Sequence, residues 1–448
     1  MNIFIAGGGR VGFHLARLLS ADRQDVTVIE ADPDEVEKID YALDVSTATG
    51  DASSVMLLKT LDVSEADLFV ASMGDDETNL ISAATAKGLG ATQVVARVDK
   101  SAYIESNILY ETILGVDYIL SPDALSALEI ANYIEHPGIL AAEDFGRGLV
   151  QMRHMHVAQT PTVNGKTLKD VVPPGSGVLL GVIDRNGSST IPHGDSVVEP
   201  GDHVTLIGQR EKIGAIERLF LGEEVKPRRV AIMGGSTIGV RLAQALEGKV
   251  RTVKLFERRE DRSNALAAKL EKAKVVCRDA TSRAALEQEH IGGVDTFVAA
   301  TRDDERNIMA GVLAKEVGAR RVVAVVHHPD FAPLVERLGI DLAITPRASI
   351  ANRILKLVHQ DQVISLAVLG EGQVEVVELA VGDASVLLGK QLKDVNTKFP
   401  RGALIATILR GEKVIVPSGE DAIRPGDSVI LIAASESLDT ARKLLQKK

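Results

Sequence analysis

The sequence predicts an α/β protein built from two doubly wound domains with parallel sheets, each followed by a small β-rich α+β domain. Three observations predict it. The stretch NIFIAGGGRVGFHLARLL (2–19) reads as an apolar strand, a glycine-dense turn and an amphipathic helix. Some two hundred residues on, VAIMGGSTIGVRLAQAL (230–246) repeats it, with seven of seventeen positions identical between Ile3–Leu19 and Val230–Leu246. After each such unit the texture changes to short alternating strands with Gly and Pro turns, over 147–210 and 362–433.

In the first α/β unit, Gly7, Gly9 and Gly12 spell G-x-G-x-x-G between a strand and a helix. In a Rossmann-like unit the first glycine makes the turn, the second lets the backbone approach a pyrophosphate and the third lets helix and strand pack closely. The helix N-terminus then faces the anion. The next strand, VTVIE, ends in Glu30, eighteen positions after Gly12. A carboxylate there accepts from ribose hydroxyls and repels a 2′-phosphate, which favours NAD over NADP. ATGDAS (48–53) brings Asp51 to the end of a third strand, to meet the adenine side of a ligand or to cap the following helix. The Asp75–Glu77 cluster reads as the start of a helix. Arg97 interrupts the apolar strand VVARV, placed either to meet phosphates or to pair with Glu30, Asp51 or another carboxylate. The unit closes with a long helix over 122–134, carrying Leu125, Leu128, Ile130 and Ile134.

The second copy keeps the order of these pieces and weakens some. Ser236 replaces the middle glycine, Val325 stands for Arg97, and Glu257 is followed by Arg258 and Arg259. Two readings stand for it: a crevice for a different nucleotide, or a purely structural copy. Its closing helix over 346–358 carries Ile350, Ile354 and Leu357. Both closing helices hold more apolar positions than one sheet covers, which makes them candidates for a pairing surface, with ordinary packing inside each domain as the alternative. The β-rich units repeat too: GKTLKDV (165–171) against GKQLKDV (389–395), each later reaching a Pro-Gly-Asp turn. Repeats this long are duplicated domains, with boundaries at 1–136, 137–222, 226–359 and 360–448 and a charged linker at 221–229.

Composition narrows the function. The net charge of −11 and the absence of Trp argue against nucleic-acid binding by phosphate neutralisation or base stacking. No run of eighteen apolar residues spans a bilayer, and a chain that opens on a strand leaves no room for a signal peptide. The single cysteine, Cys277, fits a reducing compartment. His154 and His156 share one strand face as half of a metal site, but with no further Cys or His near in sequence they read as surface histidines. No nucleophile elbow, catalytic carboxylate pair or histidine triad is evident. The β-rich units show no obvious acid–base constellation to face a nicotinamide.

Fingerprint, strand-end carboxylate, GDAS, DDETN, ARV, the SPDAL…IANYI helix and GKTLKDV…PGD follow one another in a family order covering essentially the whole chain. The sequence resembles the regulatory subunits of Trk-type potassium uptake systems, made of tandem RCK/KTN units. The resemblance implies a non-enzymatic cytoplasmic protein, peripheral on the inner face of the cell membrane. It implies binding of NAD(H), and often ATP or ADP. It also implies assembly into a homo-oligomeric ring, as a dimer or tetramer, that gates a membrane potassium-translocating subunit. The family's nucleotide contacts carry over to Gly7, Gly8, Gly9, Arg10 and Val11, to Glu30, to Met73 and Gly74, and to Arg97. In the second half they fall on Gly234, Gly235, Ser236, Thr237, Ile238 and Glu257, and more loosely on Thr301 and Arg302. Met73 departs from the small hydroxyl residue usual there. The ligand of the β-rich units stays open, a cyclic dinucleotide and a cation being two options. The competing reading is an NAD-dependent dehydrogenase with a degenerate second domain; a soluble NAD-linked transcription factor is remote.

Overall fold

The computed structural model describes residues 1–446 except 23, 137–138, 159–160, 186–187, 222–228, 359–364, 370–373, 383, 396–398 and 401. Most of the linker read at 221–229 therefore lies outside the described residues. Two compact units are present, one made of Met1–Glu135 with Pro227–Val358, the other of His136–Lys226 with His359–Lys448.

The first unit contains two six-stranded parallel sheets of identical topology. In one, the strands run Ser46–Thr49, Asp25–Glu30, Asn2–Ala6, Leu68–Ala71, Gln93–Arg97, Tyr118–Leu120 across the sheet; in the other, Lys274–Cys277, Thr252–Glu257, Arg229–Met233, Thr296–Ala299, Arg321–Val325, Leu342–Ile344. The central strands are near-continuous apolar runs because helices cover both faces. The strand order reverses beside Asn2–Ala6 and Arg229–Met233, the point where doubly wound sheets open a ligand crevice.

The two halves exchange their closing helices. Pro346–Val358 ends the second half, yet its Ile350, Ala351, Ile354, Leu357 and Val358 are buried in one core with Ile3, Ile5, Leu15, Leu19, Val70 and Val95 of the first. Reciprocally, Pro122–Glu135 of the first half packs along Thr237–Leu246, the fingerprint helix of the second. Its Tyr133 ring lies 5.9 Å from the guanidinium carbon of Arg321. Where the closing helices meet, the Ser126 hydroxyl lies 3.2 Å from that of Ser349, which donates to Glu129 at 2.7 Å. Most of the surplus apolar positions of these helices are thus spent on pairing the halves of one chain; Leu128 is the exception, standing 56% exposed.

The second unit holds two five-stranded antiparallel sheets, ordered Ser188–Thr190, Val178–Arg185, His203–Gln209, Val150–His156, Ile139–Phe145 and Ser365–Leu369, Val374–Ala380, Ser428–Ala434, Ala403–Arg410, Lys413–Ile415. They pack against each other through Met152, Val182 and Ile207 on one side and Val376, Ala406 and Ile432 on the other. Each Pro-Gly-Asp turn ends in a buried aspartate held by an arginine fork. Arg185 donates two bonds to Asp202 and Arg410 two to Asp427, all at 2.8 Å. Among the described residues no helix is long and apolar enough to cross a membrane.

Candidate functional site

The first fingerprint folds as its glycines dictate. Gly7 sits at φ +101°, and a Cβ on Gly12 would lie 1.8 Å from the Gly7 carbonyl oxygen, so neither position admits a side chain. Gly9 caps the helix Arg10–Ala21 with extended backbone and no side-chain hydrogen bond. A Cβ on Gly9 would meet nothing within 4 Å. An uncapped helix N-terminus thus opens onto free space, the arrangement that receives a phosphate. Beside it, the Glu30 carboxylate accepts from the Gly8 amide at 2.6 Å and from the amides of Ala31 and Asp32 at 2.7 and 3.0 Å. These bonds lock the carboxylate at the crevice rim with acceptor capacity left for hydroxyls. Val11 is half-buried against the sheet core, and Arg10 is exposed.

The far wall is set by Asn79, which is fully buried. Its side chain accepts from the Met73 amide at 2.7 Å and donates to the Met73 and Arg97 carbonyls, both at 3.0 Å. It thereby ties two strand ends together beneath Met73 and Gly74. Asp75 caps the next helix through Thr78, while Asp76 turns away and accepts from the amides of Asp99 and Lys100. Of the partners open to Arg97, neither Glu30 nor Asp51 takes it; Asp99 does, through one Nη. The Arg97 Nε is buried with no partner, a donor suited to an anion. Asp51 does not cap the helix that follows: it accepts from the Ser53 amide and hydroxyl, and Ser54 caps Val55–Thr60.

The second crevice encloses about 480 Å³ and is lined by Gly234, Gly235, Ser236, Thr237, Glu257 and Thr301 among others. Ile238 is not in its wall and is buried instead. Here the helix start is closed: the Ser236 hydroxyl accepts from the Gly239 amide at 3.2 Å and donates to the Ala300 carbonyl at 2.5 Å. In exchange the wall carries six arginines (Arg258, Arg259, Arg262, Arg278, Arg302 and Arg306) against the three carboxylates of Glu257, Asp279 and Asp303. Asp279 holds Arg306 at 2.8 Å. Burial alone would raise its pKa, but bonds from Thr281 and Arg306 bring it down to about 2. Asn307 repeats the Asn79 clamp, joining Thr301 to the Val325 carbonyl. Only the conserved spacing of the two Asn residues in the repeat hinted at this role.

The exchanged helices bring charge from one half to the other. Arg347 acts on His14, Arg17 and Arg10 of the first fingerprint helix. Burial, then Arg347 and Arg17, lower His14 to about 4. Asp123, whose carboxyl burial raises, is acted on by Asp99 and Arg97 of its own half and by Arg302 and His327 of the other.

The chain thus carries two Rossmann-like halves, each followed by a β-rich unit, and solved structures share this fold. The fold matches the GsuK RCK domain with a TM-score of 0.63 at 21% identity, over 99% of this chain and 94% of that one. The GsuK channel bound to NAD also scores 0.63 at 21% identity, over 99% of this chain and 78% of that one. The TrkA-N domain family matches residues 3–122 and 230–346, and the TrkA-C domain family 157–221 and 376–446. Among curated relatives, the Trk system potassium uptake protein TrkA homolog of Archaeoglobus fulgidus is 36% identical over the full length of both chains. The Trk system potassium uptake protein TrkA of Halomonas elongata is 33% identical over 96% of this chain and 95% of its own. The chain belongs to the TrkA family of Trk potassium uptake proteins.

Proposed function

We propose that this chain is a nucleotide-sensing regulatory subunit that binds NAD(H) in its first crevice and an adenine polyphosphate, ATP or ADP, in its second. It does so in the cytoplasm, in a homo-oligomeric ring on a membrane potassium-translocating subunit, and carries out no reaction on the nucleotide. The observation that carries the reading is the open helix start at Gly9 beside the anchored Glu30. One presents unpaired amides to a pyrophosphate, the other a fixed acceptor to a ribose. Arg97, with its unpartnered Nε, supports it from the far wall. The arginine-rich wall favours a more highly charged ligand in the second crevice. GsuK, of like fold, has been solved with NAD and with ADP. A nucleotide moves such a ring only by binding its two conformations unequally.

Calorimetric titration of NADH, NAD, ATP and ADP tests the reading. Gly9→Asp is expected to abolish NADH binding without lowering the melting temperature, because an aspartate caps the helix while repelling phosphate. Unchanged NADH affinity in that variant removes the fingerprint from the mechanism. Turnover of the bound nicotinamide by the purified protein would overturn the regulatory reading in favour of a dehydrogenase.

A further inference from the structure

The two crevices descend from one turn, and they differ most at the end where a Rossmann-like unit holds the adenosine ribose. That end is built by the second and third strands, which finish side by side: Glu30 pairs with Thr49 in the first half and Glu257 with Cys277 in the second. Counting from these pairs, Ala31, Asp32, Glu35 and Gly50 of the first half give way to Arg258, Arg259, Arg262 and Arg278. All four arginines line the second crevice. Only Arg302 and Arg306 stand across the fingerprint strand, following Thr296–Ala299, and Asp279 already holds Arg306 at 2.8 and 2.9 Å.

We propose that the second crevice selects adenine nucleotides carrying a phosphate on the adenosine ribose, with Arg258 and Arg262 as its recognition residues. This rests on the reading of the crevice as an adenine-nucleotide site and names the ligand class within it. In the first half the Glu30 carboxylate accepts from three amides and is followed by Asp32, an acidic rim that repels a ribose phosphate. In the second half Glu257 accepts from the Arg259 amide at 3.0 Å, and Arg262 Nε lies 3.8 Å from its other oxygen. The carboxylate's charge is thereby offset where it stands. Arg262 also donates through Nη2 to the Gly235 carbonyl at 2.5 Å, which fixes its guanidinium beside the glycine turn. Arg259 is spent on Asp261 at 2.6 Å and Arg278 on Gln288 at 2.8 Å. Arg258 alone of the four makes no ion pair or side-chain hydrogen bond among the described residues. It follows directly on the strand-end carboxylate, and an arginine near that position is what accommodates a 2′-phosphate in dinucleotide-binding folds. A free guanidinium meets a phosphate with two parallel bonds, a match that a ribose hydroxyl does not offer. The fingerprint turn supports the same division. Ser236 takes a helix amide that Gly9 leaves for a pyrophosphate, so the second crevice shifts its grip toward the ribose end.

The test is calorimetric titration of the full chain carrying Gly9→Asp, which silences the first crevice, with NADPH, NADH, ATP and adenosine 2′,5′-bisphosphate. NADPH is expected to bind roughly tenfold or more tightly than NADH, the ratio that a charge-assisted bond to one added phosphate supplies. Arg258→Ala and Arg262→Ala are each expected to bring that ratio toward one while ATP affinity falls less. A ratio of two ligands on one protein is not mimicked by a variant that merely folds less stably. Titrating NADPH into unaltered protein already saturated with NADH repeats the comparison with no substitution at all. Bisphosphate binding as tight as that of NADPH assigns recognition to a mononucleotide, and tight binding of NADPH alone assigns it to the dinucleotide; either supports the site. Equal affinity for NADPH and NADH overturns the ribose-phosphate selection and leaves the adenine-nucleotide reading standing where ATP still binds. If none of the four binds, both fall together.

Discussion

Gly9 and Ser236 hold the same place in two copies of one turn, and a single hydroxyl separates their chemistry. In the first copy the helix start is left without a side-chain cap, whereas in the second the serine itself takes one amide. A side-chain cap typically contributes about 1 kcal/mol to a helix, so the first copy forgoes that stability to keep its amides available. His14, on the same helix, gives a residue-scale test. Its pKa falls from the ordinary 6.5 to about 4, chiefly through burial and then through Arg347 and Arg17. The unfolded chain takes up a proton below pH 6.5 while the folded chain resists until about 4. Stability is therefore complete above 6.5 and falls as pH drops through that window. Discounted for solvent screening at this half-exposed side chain, the contribution is about 1 kcal/mol. Denaturant melts of wild type and His14→Gln at pH 7 and 4.5 are expected to differ in pH slope; identical slopes would show that His14 titrates normally. At this scale the fingerprint, Glu30 and the second-copy Ser236 were legible because their chemistry is local. The Asp99 partner of Arg97 and the clamp role of Asn79 were not, since both depend on which strand ends meet.

At the scale of elements, the closing helices carry the main lesson. The apolar stripe of Pro346–Val358 was legible, and so was its excess over one sheet's needs. Periodicity fixes a buried face and is silent about which partner buries it, so the crossing to the other half had to come from the structure. The surface reading of His154, whose side chain is only 14% exposed, failed for a similar reason: strand register, which sets Thr205 beside it, has no signature in spacing alone. The crossing has a measurable consequence. Ile354→Ala removes a fully buried side chain from the core of the first sheet and is expected to cost about 2–5 kcal/mol. Hydrogen exchange then accelerates in Asn2–Ala6 and Leu68–Ala71, more than three hundred and two hundred and fifty residues away in sequence. Faster exchange confined to residues 229–358 would show that the helix belongs to its own half.

Across the whole molecule, charge is distributed unevenly between two sites of common descent. The chain is acidic overall, yet the second crevice gathers six arginines. Partly exposed charges are screened over roughly 10 Å at 0.1 M salt. ATP binding at the second crevice is therefore expected to weaken several-fold between about 0.05 and 0.5 M salt, and NADH binding at the first crevice distinctly less. Calorimetry at both salt concentrations, with Gly9→Asp to silence the first site, separates the two; equal salt dependence would mean that the arginines do not carry the ligand's charge.

The exchange of closing helices also bears on how such a chain can be divided. A half-length chain would leave Ile350, Ile354 and Leu357, or their counterparts Ile130 and Ile134, without a sheet to cover. It would have to trade that helix with another copy of itself, as swapped dimers do. The present chain is such a pair made covalent. Joining the partners into one polypeptide frees each from having to match the other, which is how one turn can keep its glycine and the other acquire a serine while both still complete a single core.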